Sequence, residues 1–88
     1  SIVIPNVITP NGDNKNDVFK ILRLESYPGS RLLIYNRWGK KIYESKDYKN
    51  NWDGSKTDKS DGVYYWILYL EDKKGTTFNG TVTIISKT

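Results

Sequence analysis

The residues best suited to chemistry crowd into "TPNGDNKND" (Thr9–Asp17), which packs acids, amides, Pro and Gly between two apolar runs. An oxygen-rich calcium loop places Asp or Asn at alternate positions, then a Gly, with a bidentate acid further on. The alternate positions here are Asn11, Asp13, Lys15 and Asp17. Lys15 falls where a ligand is wanted, and no Gly follows in register. Asn11, Asp13 and Asp17 are therefore the calcium candidates, yet no metal is expected. General acid–base work by Asp13 and Asp17 would need one carboxyl with a raised pKa in an apolar surround. Their neighbours Gly12, Asn14, Lys15 and Asn16 are polar and favour ionisation. The expectation is a structured pair of turns at Asn11-Gly12 and Asp13-Asn14, with side chains binding nearby backbone N–H groups.

"NNWDGS" (Asn50–Ser55) is the second such stretch. Asp53-Gly54 is a turn dipeptide, and Trp52 is large enough to close one end of a small core. Asp53 is also placed to accept an ion pair from Arg37, if the fold brings them together. Exposed Trp at strand ends can stack on sugars, so Trp38 and Trp52 define the competing carbohydrate-binding reading; core or core-edge Trp is the commoner role. The chain has no His and no Cys, which excludes disulfides, imidazole or thiolate zinc sites, Cys nucleophiles and His-dependent triads. No catalytic residue and no cofactor is expected.

The net charge of +4 comes from Lys and Arg spread along the chain beside acids, as in Lys46-Asp47 and Asp72-Lys73. Nucleic-acid binders concentrate positive charge on one face, so this pattern reads as a solvated mixed surface. No apolar run nears the ~20 residues of a spanning helix, and direct membrane insertion is not expected. "NGT" at Asn79–Thr81 matches the N-glycosylation sequon but falls inside an expected strand and is set aside. The chain opens on Ser1 rather than Met, and it is expected to be one domain, residues 1–88, of a longer protein.

Positioning these residues falls to strands. Apolar and β-branched segments alternate with turn formers: "IVIPNVI", "VFKILRL", "RLLIYN", "KKIYES", "GVYYWILYLED" and "TTFNGTVTIIS". Two hairpins are predicted, one turning at Arg37–Gly39 and one at Asp72–Gly75. Both parities of Val63–Leu70 are apolar, as in a central strand whose second face is covered or partly stacked with Tyr. Pro5 places an edge or a bulge in the first segment. Nothing has a helical period. The predicted fold is an all-β, small antiparallel β-sandwich of about seven strands with no helix.

Read in order, "IPNVITPNGDNKNDVFKI", "LLIYNRWGKKIYESKDYKNNWDG", "SDGVYYWILYLED" and "NGTVTIIS" resemble the gliding motility-associated C-terminal domain, the type B sorting domain of the type IX secretion system in Bacteroidota. The resemblance covers essentially the whole chain. Ile8 stands where the family usually has an aromatic, and Asn14 where it usually has Gly, which further weakens a metal reading. The resemblance implies an Ig-like sandwich at the extreme C-terminus of a large secreted or surface protein, often an adhesin or enzyme. It implies a non-catalytic export signal, read by the outer-membrane translocon and a PorP/SprF-type partner protein. The candidate recognition surface comprises Asn11, Asp13, Asp17, Arg37, Trp38, Trp52 and Asp53. The final strand, Thr81–Ser86, is a further candidate as an edge for strand addition. A monomer is expected, and the alternative is a carbohydrate-binding or structural Ig-like module of a surface adhesin.

Overall fold

The structure is a computed structural model and describes residues 1–10, 12, 15–54 and 62–85. Five strands form one sheet: β1 (Val7–Ile8), β2 (Arg31–Tyr35), β3 (Lys41–Ser45), β4 (Gly62–Tyr69) and β5 (Thr77–Ile84), in the order β1-β5-β4-β2-β3. All neighbours are antiparallel except β1, which runs parallel to β5. Both predicted hairpins are present. At the first, the Asn36 N–H donates to Lys40 O at 2.9 Å and the Gly39 N–H to Asn36 O at 3.0 Å. At the second, Leu70 N–H reaches Thr76 O at 2.9 Å, and the Asp72 carboxylate accepts from the Lys74 and Thr76 N–H groups and the Thr76 hydroxyl.

One face of the sheet is apolar because alternate residues point the same way. Leu32 and Ile34 of β2, Tyr64, Trp66 and Leu68 of β4, and Val82 and Ile84 of β5 are all buried. The layer that covers them is irregular. Phe19, Ile21 and Leu24 come from the first part of the chain, and Tyr48 and Trp52 from the stretch after β3, while Ile8 of β1 joins the core from within the sheet. Phe19 sits at the centre, its ring 5.8 Å from Trp66 and 6.4 Å from Tyr48. Burying such a ring completely contributes ~2–3 kcal/mol.

This second layer departs from the expected sandwich. "VFKILRL" forms no strand; it makes a single bridge, Leu22 with Val3, and ends in a short 3-10 turn over Leu24–Ser26. The physical reason lies in who satisfies its backbone. The Asn50 side chain brackets Ile21, accepting its N–H at 2.9 Å and donating to its carbonyl at 3.3 Å. The Tyr48 hydroxyl donates to Phe19 O at 2.7 Å and accepts from Trp52 N at 3.0 Å, while Phe19 N–H donates to Trp52 O at 2.8 Å. Buried backbone groups must be paired, and here side chains do what a neighbouring strand would. The count of about seven strands becomes five among the described residues.

Two further expectations change. The second face of β4 is open, with Val63 45%, Tyr65 49% and Tyr69 43% exposed. Its neighbours on β5 are Thr83, Thr81, Asn79 and Thr77, polar residues suited to a wetted face. The end of the final strand is not an edge either, because β1 pairs with Thr83 and Ile84. Pro5, lacking an N–H, stands just before that short parallel pairing, as an interruption in the first segment predicted. The opposite edge, β3, carries Lys41 and Glu44, and the register shifts between Ile34 and Tyr35 beside it. Charges and a bulge on an edge discourage uncontrolled pairing.

Candidate recognition surface

The first turn is closed by short-range hydrogen bonds. Thr9 N–H donates to Asn16 O at 2.7 Å, and Gly12 N–H donates to the Asp17 carboxylate at 3.3 Å. Asn16 takes a left-handed conformation at φ 56°, which Asn tolerates better than most residues. Asp17 therefore serves the turn. Asn11 and Asp13 lie outside the described residues. Among the described residues no three acidic, His or Cys side chains stand together as metal ligands would.

The two loop tryptophans have opposite fates. Trp52 is buried, 4% exposed, with its ring 6.1 Å from Tyr43 and 6.0 Å from Tyr64. Its indole is part of the core and offers no surface to a sugar or a protein, which corrects its place among the recognition candidates. The glycine that follows its acid has a packing role. Gly54 is buried at φ +82°, and a Cβ there would lie 2.8 Å from Ile84 Cδ1. Asp53, between them, is half-buried.

Trp38 is 71% exposed at the tip of the β2–β3 hairpin. The tip is held rigidly. The Asn36 Oδ1 accepts the N–H groups of Trp38 at 3.0 Å and Lys40 at 2.9 Å, adding to the two backbone bonds of the turn. Gly39 supplies the φ of +84° that closes it. Arg37 lies over the Trp38 ring, its guanidinium carbon 4.5 Å from the centroid, so the fold does not bring it into the ion pair with Asp53 that the sequence left open. Among the described residues neither Arg37 nor Lys40 has a carboxylate in ion-pair range. Lys41 does: it donates to Glu44 at 2.6 Å, and Arg31 reaches the same carboxylate at 3.1 Å. The Lys41 hydrogen bond, with help from Arg31, holds the Glu44 carboxyl below its ordinary pKa.

Asn36, Tyr48 and Asn50, which set this geometry, were not singled out from the sequence. Asn36 and Gly39 flank "RW" as a turn signal that the first hairpin used without assigning the side chain a task. For Tyr48 and Asn50 the decisive partners, Phe19 and Ile21, lie 29 residues away along the chain, where no local pattern reveals them.

The described residues thus form a five-stranded sheet with one buried face and loops built from hydrogen-bonded turns. Comparison with protein families gives the class a name: the chain belongs to the CHU_C type IX secretion signal domain family, whose model matches residues 2–84. It is a targeting domain for type IX secretion, acting in export toward the cell surface or extracellular space. Comparison with curated proteins and with solved structures gives no significant match. Among the described residues no helix is long and apolar enough to cross a membrane.

Proposed function

We propose that this domain is a non-catalytic, monomeric C-terminal sorting domain, one part of a longer cargo protein. In this reading the outer-membrane translocon and a PorP/SprF-type partner protein recognise it, and the cargo is delivered to the cell surface or the medium. The observation that carries the reading is the family match over residues 2–84. Rigid turns on a stiff sheet support it, because loops held by a scaffold carry specificity without a cofactor. In the same reading the fold is an Ig-like two-layer design in which the irregular layer around Phe19 and Tyr48 replaces a second sheet. The recognition surface is drawn from the loops bearing Asn11, Asp13 and Asp17, the Arg37–Trp38 tip and Asp53.

The test is export of a passenger. The chain is fused to the C-terminus of a fluorescent carrier bearing a Sec signal, in a host with the translocon and a cognate partner. Carrier in the medium or on the cell surface is the expected outcome. Carrier retained in the periplasm, with the fusion intact and folded, refutes the targeting role.

A further inference from the structure

The Arg37–Trp38 tip has no evident task in the fold. Trp38 is 71% exposed and lies outside the buried core. Yet four hydrogen bonds centred on Asn36 hold it in one conformation. A large exposed indole on a fixed turn resembles the anchors that dominate protein interfaces, where Trp, Tyr and Arg carry most of the binding energy. Rigidity before binding lowers the entropy lost on docking.

We propose that Trp38 is the anchor by which the exporting machinery grips this domain, seating in an apolar pocket with an acidic rim on a partner protein. The proposal rests on the targeting reading above. The charge of the tip specifies the rim. Arg37 stacks on the indole and Lys40 follows one residue after Trp38, and neither has an acidic partner among the described residues. The cationic edge of the tip thus awaits carboxylates, whereas Lys41 and Arg31 already share Glu44. Stacking also leaves the guanidinium edge donors free to make bidentate bonds to a carboxylate while its face rests on the ring. A protein pocket suits this tip better than a lipid surface. One indole and two cations are too few for stable membrane anchoring, which takes larger apolar area or a polybasic cluster. A membrane would also gain nothing from a locked turn.

The experiment uses the full domain on the exported carrier. Trp38→Ala is expected to keep the wild-type melting temperature, since its ring is outside the core, and to lose export. Binding to a solubilised partner complex should weaken about thirtyfold, as for a typical aromatic anchor. Trp38→Phe should retain most of the export. At Arg37, export should fall in the order Lys, Gln, Glu. Wild-type failure to export would refute the targeting role itself. Wild-type export with Trp38→Ala equally exported would refute only the anchor. A flat Arg37 series would overturn the acidic rim. Sedimentation of the wild-type domain with phosphatidylglycerol vesicles, lost in Trp38→Ala, would assign the tip to lipid and overturn the proposal.

Discussion

Removing a single oxygen tests the account of the irregular layer. Tyr48 is 3% exposed, and its hydroxyl satisfies two buried backbone groups, the Phe19 carbonyl and the Trp52 N–H. Tyr48→Phe keeps the ring, leaves no cavity larger than the oxygen and strands both partners. Each buried group left unpaired costs about 1–3 kcal/mol, so the pair should cost about 2–6 kcal/mol. A domain of this length has roughly 4–13 kcal/mol of stability in total. The loss is therefore a large fraction of the whole, and at about 4–8 °C per kcal/mol the melting temperature should fall by at least about 8 °C. Urea unfolding followed by tryptophan emission is a suitable assay, because Trp52 and Trp66 are buried. Burial also pushes the Tyr48 phenol well above its ordinary pKa. The sign follows: the unfolded chain ionises Tyr48 near pH 10 while the folded chain keeps it protonated, so this part of the stability is present below about pH 10 and lost above it. Tyr48→Phe has no phenol at this position to titrate, so its deficit against wild type should shrink as the pH passes 10. A deficit under about 0.5 kcal/mol at neutral pH, or one independent of pH through 11, would refute the claim that this hydroxyl replaces a strand.

Other outcomes follow from contacts already described. Gly54→Ala combines a left-handed φ with a Cβ 2.8 Å from Ile84 Cδ1 and should cost about 1–3 kcal/mol; Ile84→Val removes that atom, so a double-mutant cycle should show favourable coupling. Gly80→Ala would place a Cβ 2.9 Å from the rigid Trp66 ring and should destabilise by a similar ~1–3 kcal/mol in a thermal melt. Hydrogen bonding, chiefly from the Thr76 side chain, lowers the Asp72 pKa, so its contribution is present above the ordinary carboxylate pKa and lost as the pH falls through the lowered value. Melts between pH 5 and pH 2 should accordingly be flatter for Asp72→Asn than for wild type.

The parts of the fold that were legible in the sequence were those governed by local chemistry. Gly39 and the Asp72–Gly75 turn announced both hairpins, and the order of landmarks from "TPNGD" to "NGTVTIIS" pointed to the family. What escaped was set by distant partners. "VFKILRL" reads as a strand, and its Phe19 and Ile21 are indeed buried, but an apolar pattern does not say whether a strand or the Asn50 and Tyr48 side chains will meet the backbone. The open face of β4 was hidden because Tyr and Ile suit exposed strand positions nearly as well as covered ones. Trp38 and Trp52 look alike in sequence, each within two residues of a turn glycine, yet one is 71% exposed and the other is buried in the core. Only the path of the chain after β3, which folds Tyr48 and Trp52 back over the sheet, separates them.

The pairing of β1 with β5 gives the domain a temporal order. Val7 and Thr83 lie far apart in the sequence, so this strand contact forms only when both segments are in the same compartment. The two hairpins are local and can assemble early, while this long-range closure is slower because it carries the loop entropy of nearly the whole domain. A chain still threading a narrow passage would have its hairpins but not its latch. Ile8, wholly buried, would remain exposed until closure, and the finished recognition unit would exist only where the whole domain has arrived.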